Sequence, residues 1–145
     1  MLMNLLFGLS TVTVCLWLQS LLVLLSLRYY SKRQKLVNTA SILKSLHVVG
    51  SVLLILILGN LCQVSIWAVL FVWLGEFTEF SAAFYHSAVN FSTLGYGDFV
   101  MSEEHKLLGP IEAINGVIMI GVSTAALMAI FHDALKKTIA IRRGS

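Results

Sequence analysis

The residues whose types and spacing could do chemistry form one short segment, residues 93–98, which reads Thr-Leu-Gly-Tyr-Gly-Asp. Two glycines separated by one residue, Gly95 and Gly97, allow backbone conformations with positive φ that other residues avoid. Alternating conformations of this kind aim successive backbone carbonyls to one side. If several copies of the segment faced one another around an axis, the carbonyls would replace the water shell of a bare monovalent cation. The pattern therefore predicts a cation site made of the backbone oxygens of Thr93, Leu94, Gly95 and Tyr96, with Gly97 completing the segment.

The chain that must position this segment has the composition of a membrane protein. Of its 145 residues, 58% are hydrophobic and only 12% are charged, which is far from the usage of soluble domains. This length holds about three or four spanning helices of roughly 20 residues each. Irregular backbone at membrane depth occurs only where it is buried in protein or lines a water-filled path. The place of residues 93–98 between two apolar stretches therefore indicates a pore.

Apolar stretches predict three transmembrane helices, at residues 1–27, 45–75 and 107–132. The third begins with Gly109-Pro110, where a proline is tolerated in a first helical turn. Residues 76–106 hold five acidic residues against one basic residue, and their apolar part is too short to cross. We expect this segment to lie outside the cell and to be partly re-entrant, with a pore helix at 79–92. The predicted fold is all-α, with three spans, a pore helix and a filter loop.

Basic residues predict the orientation of the chain. Residues 28–44 hold five basic residues and no acidic one, and we expect them to form a cytoplasmic loop or an interfacial helix. Residues 133–145 form a second basic segment, predicted as a cytoplasmic tail. This bias indicates an amino terminus outside and a carboxyl terminus in the cytoplasm. Because the basic residues flank apolar segments, we expect no nucleic acid but an anionic lipid surface as their partner, at Arg28, Lys32, Arg33 and Lys35.

The segment Thr93-Leu94-Gly95-Tyr96-Gly97-Asp98 resembles the signature filter of the potassium channel family. Leu94 stands where valine is commoner, and Tyr96 is the residue expected of potassium-selective members. The resemblance covers residues 45–132 and implies a homotetramer built on the two-span pore core of prokaryotic-type channels, in the inner membrane of a prokaryote. The first span is an addition to that core. It also implies passive K⁺ flux and a ring of Asp98 carboxylates that concentrates cations at the outer mouth.

The resemblance extends to residues that would support the filter. Family members often carry paired bulky aromatics on the pore helix, and Phe84-Tyr85 or Tyr85-His86 occupies this place, so Tyr85 and His86 are candidate supports. Glu112 lies in the first turns of the third span, where it could hydrogen-bond the pore loop from behind the filter. The alternative is an interfacial carboxylate that the helix dipole favours.

The third span resembles the inner helix that lines the pore. Residues on one helical face at spacings of three and four are expected to line the cavity and inner mouth: Val117, Ile120, Thr124 and Met128. Gly116 is a candidate hinge, with close helix packing through small residues as the alternative.

Nothing in the sequence predicts an enzyme or a resident cofactor, and K⁺ is expected only as the permeant ion. Cys15 and Cys62 stand alone, without the spacing of metal ligands. His105, beside two glutamates, could sense external pH or bind a divalent ion, or lie in a solvated loop. Two alternative functions remain open. They are a nonconducting scaffold or regulatory subunit, and a subunit of a potassium transporter, although chains of that class are expected to carry four filter repeats.

Overall fold

A computed structural model describes residues 1–37 and 42–143 of the chain. In these residues the secondary structure is helical: α1 is Leu2–Val37, α2 is Ile42–Trp73, α3 is Phe80–Phe91 and α4 is Leu108–Arg143. Three stretches are long and apolar enough to cross a membrane, Leu2–Arg33, Leu43–Trp73 and Leu108–Lys137. The predicted all-α membrane fold is therefore confirmed.

Two of the long helices continue beyond their predicted ends. Residues 28–37 extend α1 where a loop or an interfacial helix was expected, and residues 133–143 extend α4 where a tail was expected. Neither extension contains a glycine or proline, so no residue stops the helix. Residues 38–41 of the predicted loop and residues 144–145 of the predicted tail lie outside the described part of the chain.

The end of α2 is set by a glycine. Gly75 has a φ of 78°, a left-handed conformation that glycine adopts without steric cost. The amide of Gly75 donates to the Val72 carbonyl at 3.0 Å, and that of Glu76 donates to the Phe71 carbonyl at 3.1 Å. This pair of bonds is a Schellman motif. It stops α2 and turns the chain into the segment that leads to α3.

The short helix α3 lies within the predicted range 79–92. Its 12 residues give a length of about 18 Å at 1.5 Å per residue, which is too short to cross a bilayer. Its amino end follows Glu79, whose backbone is extended. One face of α3 is buried, at Ala83, His86, Ser87, Val89 and Phe91.

The chain divides into two compact units. The first contains Met1–Leu18 and Asn60–Gly121, and its apolar core is built around Trp67, Phe71 and Met119, all fully buried. In this unit the side-chain amide of Asn4, at the start of α1, donates to the Glu104 carbonyl at 2.5 Å. Glu104 lies in the segment between the predicted filter and α4.

The second unit contains Gln19–Gly59 and Val122–Ser145. Its apolar core includes Val48, Val52 and Ile130. Two polar contacts join α1 to α4 here. Gln19 Nε2 donates to Ser123 Oγ at 2.8 Å, and the Tyr30 hydroxyl donates to Asp133 at 2.7 Å.

Candidate functional site

The predicted filter begins where the pore helix α3 ends. Thr93 has a φ of 60° and is the one non-glycine residue with positive φ in the described ranges. Its amide donates to the Asn90 carbonyl at 2.8 Å, while the Leu94 amide donates to the Val89 carbonyl at 2.9 Å. This is the same Schellman pair that closes α2, with a threonine in the place of the glycine. A β-branched residue in this conformation is strained, which is characteristic of functional sites.

The backbone conformation alternates along the filter. Positive φ angles occur at Thr93, Gly95 (59°) and Gly97 (75°), but not at Leu94 or Tyr96 between them. The amides at the start of the segment point to the pore helix, since that of Gly95 also reaches the Val89 carbonyl, at 3.4 Å. Among the described residues, no donor reaches the carbonyl oxygens of residues 93–96. These four oxygens are therefore available to an external ligand.

The filter lies on the surface of the single chain. Residues 92–100 are all exposed, and the side chain of Tyr96 is 66% accessible. A cavity of about 370 Å³ opens beside Thr93 and Gly95. Its other walls come from the pore helix and from the chain after the filter, including His86, Asn90 and Met101.

Tyr85 lies beside the outer end of the filter. Its hydroxyl donates to Asp98 Oδ2 at 2.7 Å, and its ring meets that of Phe99 edge to face at 5.9 Å. The bond to the Asp98 carboxylate raises the pKa of the Tyr85 hydroxyl. Of the two predicted aromatic supports, Tyr85 is the one that contacts the filter aspartate.

His86 lies on the buried face of α3. Its ring packs against those of Phe71 and Phe77, with centroid distances of 5.6 and 5.0 Å. Nε2 of His86 lies 2.9 Å from the side-chain nitrogen of Asn90. Burial lowers the pKa of the imidazole. His86 therefore packs the buried face of α3 against the rings of Phe71 and Phe77.

Glu112 is fully buried in the first unit. The Ser87 hydroxyl, on the pore helix, lies within hydrogen-bonding distance of Glu112 Oε1 and of the Val64 carbonyl on α2. The structure thus places Glu112 against Ser87 of α3, with its side chain fully buried within the chain.

Gly116 is the point where α4 passes closest to the pore helix. A Cβ atom built on it would lie 2.7 Å from the carbonyl carbon of Phe91 and closer still to the carbonyl oxygen. Helix α4 runs without interruption through this position. The packing alternative therefore accounts for this glycine in the observed conformation.

The residues predicted to line the cavity are exposed on the single chain. In the first unit, Val117 is 58% accessible and Ile120 is 41% accessible. In the second unit, Thr124 is exposed and Met128 is 57% accessible. These four residues are therefore not covered by their own chain, and their assignment to a cavity stays a prediction.

A cluster that the sequence did not predict holds the outer segment. Glu76 accepts hydrogen bonds from the Ser102 amide at 2.7 Å and the Ser102 hydroxyl at 2.5 Å, and it contacts His105 Nδ1 at 2.6 Å. Burial raises the pKa of the Glu76 carboxyl, but these hydrogen bonds and the His105 ring outweigh it, so the net pKa is lowered. We call Glu76, Ser102 and His105 the outer clasp. Ser102 and His105 lie 26 and 29 residues after Glu76 in the sequence. The glutamate directly after Gly75 was the only sequence feature that could have indicated this cluster.

Comparison with known proteins identifies the family. No match was found among curated proteins or among solved structures. A model of the ion channel family matches residues 59–133, which contain the end of α2, the pore helix, the filter segment and most of α4. This match covers more than half of the chain, and the chain therefore belongs to this potassium-channel-like family of ion channels.

Proposed function

We propose that this chain is one subunit of a homotetrameric channel that conducts K⁺ selectively and passively through the segment from Thr93 to Gly97. The observation that carries the proposal is the backbone of this segment. Positive φ recurs at every second residue from Thr93 to Gly97, and the first amides are bonded to the pore helix. Such a backbone presents successive carbonyl oxygens to a dehydrated cation.

We propose four copies because one filter segment cannot complete the coordination sphere of an ion. A single segment covers one side of an ion and leaves most of its coordination sphere empty, whereas four such segments enclose it. The exposure of residues 92–100 supports an assembly in which this surface is covered, because irregular backbone does not face lipid.

We propose roles for the remaining site residues around the central axis of the tetramer. Asp98 forms the outer ring that concentrates cations, and Tyr85, His86 and Glu112 support the filter from the pore helix and from α4. The cavity and inner mouth are lined by the exposed residues of α4: Val117, Ile120, Thr124 and Met128. Gly116 acts as a packing point in the described conformation, and a hinge at this position would require α4 to separate from Phe91.

The orientation proposed from the charges has the amino terminus outside and the carboxyl terminus in the cytoplasm of a prokaryote. The contact of Asn4 with the Glu104 carbonyl supports an amino terminus on the same side as the filter mouth. Arg28, Lys32 and Arg33 are exposed on α1, and we propose anionic lipid of the cytoplasmic leaflet as their partner. The side chain of Lys35, also assigned to this surface, lies outside the described part of the chain. Alanine at all four positions should remove the dependence of flux on anionic lipid, and unchanged dependence would exclude this surface.

The experiment that tests the function compares K⁺ and Na⁺ flux into liposomes containing the purified full chain. Gly95→Asp places a carboxylate and a side chain at a position with a φ of 59°, so K⁺ flux should be lost. The matched control is Gly75→Asp, which puts the same side chain at a φ of 78° outside the filter. Both glycines have open space around them, and flux should persist in the control.

Three results would count against the proposal. Equal loss of flux in both variants would show that the strain and the charge act on folding and not on the filter. Flux that does not distinguish K⁺ from Na⁺ would remove selectivity. A folded wild type that stays silent in anionic and neutral lipid, across external pH, would favour the nonconducting scaffold. The transporter subunit requires four filter segments, so a subunit count of four in the purified assembly separates a tetramer of this chain from a single transporter chain.

A further inference from the structure

A group of buried polar side chains lies where segments of all four helices meet in the first unit. Glu112 and Asn115 come from α4, Ser87 from the pore helix, Trp67 from α2 and Cys15 from α1. Each is at most 1% exposed. Cys15 interacts with Asn115, Trp67 and Glu112, which shows that the five side chains are neighbours.

The hydrogen bonds of Ser87 determine where the protons are. Its hydroxyl has one proton to donate, yet two oxygens lie within hydrogen-bonding distance: the Val64 carbonyl at 2.8 Å and Glu112 Oε1. A backbone carbonyl only accepts. If the proton pointed to Glu112, the lone pairs of Ser87 and Val64 would face each other at 2.8 Å. If the proton points to Val64, the second contact is a hydrogen bond only when Glu112 supplies a proton of its own.

The surroundings of Glu112 are those of a neutral carboxyl group. Among the described residues it has no ion pair, and Oε2 has no hydrogen-bond partner. The groups that interact with it are Ser87 and Asn90 of α3 and the Cys15 thiol of α1, of which Cys15 alone is titratable. An ionised carboxylate buried without a cation costs several kcal/mol, and a neutral acid avoids this cost.

We infer that Glu112 is a protonated carboxylic acid whose O–H donates to Ser87 Oγ, while Ser87 in turn donates to the Val64 carbonyl. This relay joins α4 to the pore helix and the pore helix to α2 by directed hydrogen bonds. Glu112 is therefore a positioning residue for the pore helix. The consequence for flux rests on the proposed function, whereas the protonation of Glu112 does not.

Infrared spectroscopy of the purified full chain in D₂O at neutral pH tests directly whether the Glu112 carboxyl group is protonated. The wild type should show the carbonyl stretching band of a protonated carboxylic acid. Glu112→Gln should lack the band, and Glu103→Gln should retain it, because Glu103 is a surface residue paired with Lys106. A wild type without the band, or a band that persists in Glu112→Gln, would overturn the inference.

A second variant keeps the test informative should Glu112→Gln fold poorly. Ser87→Ala is a small change that removes the acceptor of the acid proton, so the band should move to the higher frequency of a free acid. An unshifted band in folded Ser87→Ala would show that the acid bonded to Ser87 is not its source.

Stability as a function of pH gives an independent readout. Unfolded wild type releases the Glu112 proton at neutral pH while the folded protein keeps it, so folding takes up one proton. The folding equilibrium constant of the wild type should then fall about tenfold per pH unit as the pH rises above neutrality, relative to that of Glu112→Gln. Glu112→Gln retains an N–H donor, so it should be more stable than Glu112→Ala. Equal losses in the two variants would show that an N–H donor at this position does not stabilise the fold, and would contradict the proposed donor role of the Glu112 acid.

Flux measured on the same samples separates this inference from the proposed function. A wild type with the carboxylic acid band but no K⁺ flux contradicts the channel alone. K⁺-selective flux in a wild type without the band contradicts the protonated Glu112 alone.

Discussion

Two helix ends in this chain are closed by the same pair of hydrogen bonds but by different residues. At the end of α2 the left-handed residue is Gly75, and at the end of the pore helix α3 it is Thr93. A glycine accepts this conformation freely, whereas an L side chain costs roughly 1–2 kcal/mol. The first end is a turn without strain. The second retains strain at the first residue of the proposed filter, Thr93.

The two helix ends also differ in how closely neighbouring residues pack around them. Gly75 has open space around it, while the last residue of α3, Phe91, lies against Gly116 of α4. A strained backbone persists only where neighbouring structure fixes it. The wall of α4 behind Phe91, together with the bonds to Val89 and Asn90, provides that support for Thr93.

The largest effect is expected from Gly116→Ala, which tests the support that α4 gives to the end of α3. The added methyl would overlap the Phe91 backbone, which cannot rotate away as a side chain can. We expect a loss of about 3 kcal/mol, the upper end of ordinary overpacking, together with loss of flux. Thermal unfolding of the purified protein measures it. Gly121→Ala on the same helix is the control, since a methyl there meets nothing of its own chain within 4 Å; similar losses in both variants would refute the assigned role of the Phe91 contact.

The next prediction concerns the outer clasp, which holds the chain just after the end of α2 through Glu76. The lowered pKa of Glu76 means that the folded chain holds this proton less tightly than the unfolded chain. The clasp therefore stabilises the fold fully above the ordinary value of 4.5, and this contribution is lost as the pH falls below 4.5 through the folded value. Glu76→Gln should cost about 1–2 kcal/mol at neutral pH, as expected for hydrogen bonds to a charged group near water.

The acid dependence supplies the control for the clasp. Thermal unfolding between neutral pH and about pH 3 should show a smaller decrease for Glu76→Gln than for the wild type or for Glu79→Gln. Glu79 is an exposed glutamate close by in the sequence. A wild-type decrease that survives in Glu76→Gln would assign the acid sensitivity to other carboxyl groups.

Exchanging the two left-handed residues, Gly75 and Thr93, tests directly whether the two helix ends differ in strain. Gly75→Thr should destabilise the chain by about 1–2 kcal/mol, and Thr93→Gly should relieve a similar strain, offset in part by the greater freedom of glycine in the unfolded chain. Chemical unfolding of each variant measures the difference. Opposite signs are expected, with flux impaired only in Thr93→Gly. A loss of stability in both variants would mean that Thr93 is held without strain.

The sequence was sufficient for the spans and for the position of α3. Long apolar stretches identify membrane helices because the bilayer sets a minimum length, and the polar stretch between the last two predicted a short re-entrant helix. The helix ends were less accessible. The basic residues after Leu27 suggested a cytoplasmic loop or an interfacial helix, whereas α1 continues to Val37, because charge alone does not stop a helix that contains no glycine or proline.

Contacts between distant residues were beyond the sequence. Glu112 meets Ser87 across 25 residues and Glu76 meets His105 across 29, and no spacing rule connects such pairs. Gly116 could be noticed but not interpreted, because a hinge and a close packing point both call for a glycine. The positive φ at Thr93 could not be foreseen either, since the position is held by tertiary support and by hydrogen bonds to α3 rather than by its own residue type.

The hydrogen bonds from residues 93–95 to the carbonyls of Val89 and Asn90 have a consequence for assembly. They join residues only three to six positions apart, so the backbone of residues 93–95 is held by its own chain. In the tetramer proposed above, association would therefore order few additional backbone torsions, and its entropic cost would be correspondingly smaller. Contacts between the four proposed subunits would then serve mainly to set the width of the opening.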